Sequence, residues 1–109
     1  KMCIATSNKH SLAERCLKNI GINDYMEFII TSDEVGNDKK SPDIFFEAAK
    51  RLEASPKKTL VFEDSIHAIK TAARAGFYTI GVYDEYSSHE FDEMCSIAQK
   101  TIKGYDEIM

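Results

Sequence analysis

The stretch that decides the fold is LVFEDSIHAIKTAARAGFYTIGV, residues 60–82. It begins within the apolar strand pattern of residues 59–62 and ends with a second apolar strand pattern at 78–82. Between these patterns we predict a helix from Ser65 to about Ala75, stopped by the glycine that follows. A strand, a helix and a strand joined by short turns are typical of two parallel strands in an α/β sheet.

The same alternation of strand and helix patterns extends along the rest of the chain. No repeat and no linker interrupts the 109 residues. We therefore predict one α/β domain over residues 1–109, with no further domain, built as a mostly parallel sheet flanked by helices. The remaining predicted elements are strands at 2–5 and 26–32, helices at 11–20, 41–53 and 88–99, and a short closing segment, TIKGYDEI, after them.

The predicted helix at 11–20 carries signals at both of its ends. Ser11 and Glu14 have the spacing of a capping box at the N-terminus, and Gly21 stands where a C-terminal cap belongs. One face of this helix is apolar, and we expect it to be buried. Its members are Leu12, Cys16 and Leu17.

Composition and charge exclude several classes of protein. The formal net charge of -4, with no basic stripe, argues against a nucleic-acid partner. No apolar run is long enough to cross a membrane. The three cysteines, Cys3, Cys16 and Cys95, are odd in number and widely spaced, which indicates reduced, packed thiols in a cytoplasmic protein.

Polar side chains collect where the predicted parallel strands end. Ligand sites in such sheets lie at the carboxyl ends of the strands. Hydroxyl and amide groups bind phosphate oxygens, an amine offsets their charge, and carboxylates bind Mg²⁺ through oxygen. This edge of the sheet therefore suits a phosphate with a divalent metal. The candidate residues at this edge are Thr6, Ser7, Asn8, Lys39, Lys40, Glu63, Asp64 and Ser65.

The adjacent carboxylates of Glu63 and Asp64 are two like charges, so placing them side by side is electrostatically unfavourable. Two such charges about 4 Å apart repel by about 4 kcal/mol at an effective dielectric of 20, against about 1 kcal/mol in water. A metal ion, a lysine or a proton on one of the acids would relieve that repulsion. The alternative is that both residues only stabilise the N-terminus of the following helix through its dipole. Spacing alone leaves both interpretations open.

Three segments, in this order, resemble the haloacid dehalogenase-like hydrolase superfamily, in particular its phosphatase and β-phosphoglucomutase-like branch. MCIATSN (2–8) is similar to the second motif of that family, an apolar strand that ends in Thr or Ser. KKSPDIFFEAAKRL (39–52) is similar to the third motif, and residues 60–82 are similar to the fourth, with Glu63 and Asp64 as its acidic pair. The resemblance implies a Rossmann-like core.

The resemblance also implies a role for each candidate residue. Thr6, with the amide of Ser7 and the turn through Asn8, would bind the phosphoryl group. Lys39 would neutralise charge on the nucleophile and the phosphate. The resemblance further implies that Asp64 holds Mg²⁺ and that Glu63 lies in the shell around the metal. Thr6 and Lys39 are the catalytic residues that this chain itself would supply. The alternative role of Thr6 is a hydroxyl at the start of a helix, and that of Lys39 is a solvated surface amine.

The first motif of that family, Asp-x-Asp after an apolar strand, does not occur in this sequence. That motif supplies the nucleophile, and its strand lies between the strands ending in Thr6 and in Glu63. We therefore expect the C-terminal part of an incomplete core, without that strand and without a cap domain. The missing N-terminal segment or another copy of the chain would complete the sheet, and the fragment alone would be inactive.

For the parent protein, the resemblance implies a Mg²⁺-dependent phosphatase that acts on a small phosphorylated metabolite through an aspartyl-phosphate. A β-phosphoglucomutase-like sugar-phosphate mutase is one alternative. A non-catalytic module that binds phosphate and Mg²⁺ is the other. The sequence does not identify the substrate, because the cap domain that would select it is not part of this chain.

Overall fold

A computed structural model describes residues 1–36 and 41–108 and shows strands and helices alternating along the chain. Within these ranges, no helix is long and apolar enough to cross a membrane. The chain divides into two compact units, residues 1–54 and 55–109. The strands and helices are β1 (Ile4–Thr6), α1 (His10–Asn19), β2 (Ile29–Thr31), α2 (Ser32–Val35), α3 (Asp43–Arg51), β3 (Leu60–Glu63), α4 (Ile66–Arg74), β4 (Tyr78–Val82), α5 (Phe91–Ile97) and β5 (Lys100–Ile102).

The predicted fold class, α/β with parallel strands flanked by helices, is confirmed. The strands form a two-stranded sheet, β1–β2, in the first unit and a three-stranded sheet, β3–β4–β5, in the second. Every strand pair is parallel. In the described parts of the chain, no strand pairing joins the two sheets, so β1 and β3 belong to different sheets. These are the two strands between which the sequence predicts a missing one.

The first unit buries the apolar residues of β2 and the inner face of α1. Ala13 and Leu17 of α1 pack with Ile29 of β2. The predicted helix face is therefore wrong in part, because Leu12 and Cys16 lie on the exposed side. The spacing of apolar residues along α1 fits two different helix faces. The face that contains Leu17 is the buried one, because it is the face that contacts the sheet.

The N-terminus of α1 also differs from the prediction. The helix begins at His10, and Lys9 occupies the capping position in an extended conformation without a side-chain hydrogen bond. Ser11 therefore lies inside the first turn, where it cannot act in the predicted capping box with Glu14. The C-terminal prediction is supported, since Gly21 has a φ of 79°, in the left-handed region that favours glycine.

The second unit packs α4 and α5 against each other over the three-stranded sheet. Ile66 and Ile69 of α4 contact Met94 of α5, which is 1% exposed. Gly81 is the fourth of the five residues of β4, and a Cβ atom there would overlap the Met94 side chain. A larger residue at this position would therefore force the Met94 side chain to shift, so glycine allows α5 to pack closely against β4.

The cysteines are unpaired, as predicted, but they are not packing residues. Cys16 and Cys95 are exposed, and Cys3 is half-buried. Each exposed cysteine lies on the outer side of its helix, so the general tendency of free cysteine to be buried is a poor guide here. The cytoplasmic location inferred from reduced thiols stays a prediction.

Candidate functional site

The turn after β1 carries the three candidate phosphate-binding residues of the first unit. Thr6 is the last residue of β1, and Ser7 and Asn8 follow it as an exposed bend. The Asn8 amide donates a hydrogen bond to Thr6 Oγ1 at 3.1 Å, which folds the turn back over the end of the strand. Because Thr6 Oγ1 accepts this bond, its own proton can donate to a ligand oxygen.

The end of β2 lies beside this turn and adds two hydroxyl groups that the sequence reasoning missed. Thr6 pairs with Thr31 in the parallel register, and the next residue on each strand is a serine. The Ser32 hydroxyl donates to Ser7 Oγ at 3.4 Å. The sequence carried part of the signal, because a Thr-Ser pair ends the predicted strand 26–32 and another follows the predicted strand 2–5, but the strand register was needed to bring the two pairs together.

Lys39, the candidate that would balance the phosphate charge, lies outside the described residues. The structure describes the chain on either side of it, up to Gly36 at the end of α2 and again from Ser41 before α3. The Asp43 amide donates to Ser41 Oγ at 3.4 Å. The helix begins at Asp43, two residues later than predicted, and Pro42 takes the capping position without a side-chain hydrogen bond.

The end of β3 carries the acidic pair of the second unit. Glu63 is the last residue of β3, and Asp64 follows it directly. Ser65 then caps α4, with its Oγ accepting from the Ala68 amide at 3.5 Å. The Ser87 hydroxyl, from the segment after β4, donates to the backbone carbonyl of Asp64 at 3.2 Å. The acidic pair therefore sits between a capped helix and a loop that contacts its backbone.

Tyr105, three residues after β5, is a further neighbour of the acids that the sequence reasoning missed. Its ring lies 5.8 Å from the Phe62 ring, measured between centroids. Burial, followed by the negative charges of Asp64 and Glu63, raises the pKa of the Tyr105 hydroxyl above its ordinary value of 10.0. The phenol therefore senses the charge of the pair.

The donor chemistry of the acidic pair fits a hard divalent cation. Carboxylate oxygens are the ligands that Mg²⁺ prefers, and this ion is commonly held by one or two carboxylates while water and substrate oxygens fill its other positions. Over the described ranges, no three His, Cys, Asp or Glu side chains are grouped so that they could hold a metal ion. The two acids thus fit Mg²⁺ as part of a site.

The candidate residues fall into two sets, one in each compact unit. Thr6, Ser7 and Asn8 lie together in the first unit, and Glu63 and Asp64 lie together in the second. A separate cavity of about 450 Å³ in the first unit lies at α2 and α3, and none of the candidates that the structure describes lines it. Its lining consists of Glu34, Val35, Asp43, Phe46, Glu47, Lys50 and Arg51.

Comparison with known proteins identifies relatives along most of the chain. A family model described as haloacid dehalogenase-like hydrolase matches residues 1–82. Fructose-1-phosphate phosphatase YqaB from Escherichia coli K12 is 31% identical over 81 residues, which are 74% of this chain and 43% of that protein. The phosphorylated carbohydrates phosphatase of Thermotoga maritima is 32% identical over 80 residues, which are 73% of this chain and 37% of that protein.

A solved structure extends the similarity to the fold. The crystal structure of a candidate beta-phosphoglucomutase from Thermotoga maritima superimposes with a TM-score of 0.77 at 29% identity. The match covers 94% of this chain and 48% of that one. This chain therefore spans less than half the length of each of these three relatives.

Proposed function

Because this chain belongs to the haloacid dehalogenase-like hydrolase family, we propose that it is part of a Mg²⁺-dependent phosphoryl-transfer enzyme, a phosphatase acting on a small phosphorylated metabolite. The observation that carries the proposal is the acidic pair, Glu63 and Asp64, at the carboxyl end of the parallel strand β3. Two carboxylates directly before a capped helix suit the metal side of a phosphoryl-transfer site.

In this proposal, the turn after β1 binds the phosphoryl group. Thr6 can donate its hydroxyl proton to a phosphoryl oxygen, because its Oγ1 already accepts from the Asn8 amide. The amide of Ser7 adds a second donor at the same strand end. Lys39 neutralises negative charge on the phosphoryl group and on the nucleophile.

The acidic pair forms the metal side of the proposed site. Asp64 would hold Mg²⁺ directly or through water, and Glu63 would lie in the shell around it. When bound, the ion would offset the charges of both carboxylates and of the phosphoryl group. The Ser87 hydroxyl fixes the Asp64 backbone through the carbonyl oxygen, and the capped N-terminus of α4 favours negative charge at the same place.

The nucleophile in this proposal is an aspartate supplied from outside this chain. Its oxygen attacks phosphorus, the bond between phosphorus and the ester oxygen breaks, and the released alkoxide takes up a proton. Water then attacks the aspartyl-phosphate and releases inorganic phosphate and the free carboxylate. We also propose that the segment carrying this aspartate, or a second copy of the chain, completes the sheets.

The proposed substrate class, a small phosphorylated metabolite, agrees with the names of two relatives. One is described as acting on fructose 1-phosphate and the other on phosphorylated carbohydrates. Similarity to a candidate beta-phosphoglucomutase favours a second function, in which the phosphoryl group passes to a sugar hydroxyl instead of to water. A non-catalytic module that binds phosphate and Mg²⁺ is the third candidate.

The test measures release of inorganic phosphate from a panel of sugar phosphates by the complete protein that contains this chain. Asp64→Asn removes one charge from the metal side at nearly constant volume, and we expect activity to fall at least about 100-fold, in the range typical for loss of an electrostatic catalytic group. Chelation of Mg²⁺ should abolish activity. Asp92→Asn, an exposed acid on α5, is the matched control and should leave activity unchanged.

The outcomes separate the three candidate functions. Phosphate release supports the phosphatase, and an isomeric sugar phosphate without release supports the mutase. Binding of Mg²⁺ and phosphate without turnover supports the non-catalytic module. Unchanged hydrolysis in Asp64→Asn would contradict the assigned metal side, and hydrolysis by this chain alone would contradict an outside nucleophile.

A further inference from the structure

We infer that Ser32 is a positioning residue for the phosphate-binding turn of Thr6, Ser7 and Asn8, an inference that rests on the proposed function of that turn. The strand register brings Ser32 to this place. Thr6 pairs with Thr31 as the last register pair of β1 and β2. Ser7 and Ser32 follow these residues, and their hydroxyl oxygens lie 3.4 Å apart.

The direction of this hydrogen bond matters for phosphate binding. Ser32 donates and Ser7 Oγ accepts. A serine hydroxyl has one proton and two acceptor lone pairs, so Ser7 keeps its own proton available to donate to a phosphoryl oxygen. Thr6 is prepared in the same way, since its Oγ1 accepts from the Asn8 amide. Both hydroxyls of the turn thus keep a proton that can donate to a ligand oxygen.

Ser32 is itself held firmly at the start of α2. The residue is 9% exposed, and the preceding Thr31 is 4% exposed. Thr31 and Glu34 bond to each other twice: the Glu34 amide donates to Thr31 Oγ1 at 3.3 Å, and the Thr31 hydroxyl donates to the Glu34 carboxylate at 3.4 Å. This reciprocal pair fixes the backbone on both sides of Ser32.

A second set of contacts ties α2 to α3 in the same unit. Arg51 of α3 donates to the Glu34 carboxylate at 3.4 Å and to the Glu47 carboxylate at 3.1 Å. Its guanidinium also lies 5.8 Å from the centre of the Phe28 ring. Each contact is weak at this exposed position, but together they hold Glu34, and through it Thr31, in one place. The Ser32 hydroxyl therefore offers Ser7 a fixed donor.

The experiment is a double-mutant cycle in the complete protein, with inorganic phosphate as the ligand. Titration calorimetry in excess Mg²⁺ measures the phosphate dissociation constant for wild type, Ser32→Ala, Ser7→Ala and the double variant. We expect Ser32→Ala to weaken phosphate binding about 3- to 10-fold, the value of one hydrogen bond. In the Ser7→Ala background, Ser32→Ala should have no further effect, because the two hydroxyls act as one unit.

Steady-state kinetics and control variants separate positioning from a general loss of structure. Ser32→Ala should raise KM more than it lowers kcat, because the turn holds the phosphoryl group before and during transfer. Ser32→Thr keeps the hydroxyl and should restore phosphate binding. Ser11→Ala, an exposed serine on α1, is the matched control and should match wild type. Thermal melts report folding, and the nearly isosteric Ser32→Cys replaces Ser32→Ala in the cycle if the alanine variant does not fold.

The failure of this inference can be told from the failure of the proposed function. If wild type neither binds phosphate nor transfers a phosphoryl group, both are overturned. If wild type binds phosphate but Ser32→Ala matches it, or weakens binding equally with and without Ser7, only the role of Ser32 is overturned.

Discussion

The turn after β1 in the first unit presents hydroxyl and amide groups, whereas the end of β3 in the second unit presents two carboxylates. The neutral groups are already joined by hydrogen bonds within the first unit, at 3.1 Å from the Asn8 amide to Thr6 and 3.4 Å from Ser32 to Ser7. The carboxylates instead place two negative charges at one strand end, and these charges, after burial, raise the pKa of the neighbouring Tyr105. The first arrangement is hydrogen-bonded within the protein, while the second concentrates negative charge at one strand end.

β1 and β3, the strands that carry these residues, are alike in being less buried than the strands they pair with. β1 is half-buried throughout, while its partner β2 is buried at all three positions. β3 contains no buried residue, while its partner β4 is buried at three of five positions. In each sheet, therefore, the strand that ends in candidate site residues is the less buried member of its pair. A strand paired on one edge only can accept another strand.

The largest effect expected from this likeness is association of the isolated chain. Over residues 1–36 and 41–108, β1 and β3 are each paired on one edge only, so we expect the 109-residue chain alone to self-associate through their other edges. Size-exclusion chromatography with light scattering, together with intact mass spectrometry and thermal melting, is the measurement. The complete protein is the control and should show no such association. A stable monomer of 12.3 kDa with a cooperative melt would contradict the prediction.

The next largest expected effect is on stability, and it compares the replacement of one glycine in each unit by alanine. Gly81→Ala should lower the free energy of unfolding by about 2–3 kcal/mol, because the added Cβ meets the buried Met94 side chain. Gly21→Ala in the first unit meets no atom within 4 Å and should cost about 1 kcal/mol, from its positive φ alone. Urea denaturation of the complete protein measures both. Equal costs would mean that Met94 moves aside without strain.

The smallest effect uses Tyr105 to report the charge of the acidic pair. The folded-state pKa of this phenol is raised, so its contribution to stability is present below the unfolded value of 10.0 and is lost as pH rises through the folded pKa. Asp64→Asn should lower that pKa, and so should Mg²⁺ if it binds at the pair, since each removes negative charge. Alkaline absorbance titration of the complete protein, with Tyr105→Phe subtracted, gives the midpoint.

Asp92→Asn on α5 is the control for this titration and should leave the midpoint of Tyr105 in place. A midpoint that moves equally in both asparagine variants would show that the phenol responds to net charge and not to the acidic pair. A midpoint unchanged in Asp64→Asn would remove Tyr105 from the neighbourhood of the candidate site.

Local signals in the sequence predicted the second unit well. β4 spans the predicted residues 78–82, and α4, at Ile66–Arg74, lies within one residue of each end of the predicted helix at 65–75. Gly76 has a φ of 94° at the predicted stop. These features depend on residues within one turn of each other, so the sequence alone contains the physical cause.

The two wrong predictions in the first unit, the buried face and the cap of α1, concern features that depend on contacts beyond the helix itself. The buried face of α1 depends on which apolar stripe meets β2, and the cap of α1 depends on where the chain leaves β1. Ser11 and Glu14 have capping-box spacing, yet Lys9 takes the capping position. The capping-box spacing is compatible with more than one first residue for the helix. The conformation of the preceding turn decides which residue is first, and the spacing does not report that conformation.

The sequence by itself determined the parallel α/β class, the motif order and the residue types at the strand ends, because strand and helix periodicity and capping are local properties. Tertiary structure alone decided which residues stand beside those ends. Ser32 reaches Ser7 from 25 residues away, and Ser87 reaches Asp64 from 23 residues away. Such contacts follow from the strand register and from the packing of each sheet, which bring distant residues together and which no short window of sequence encodes.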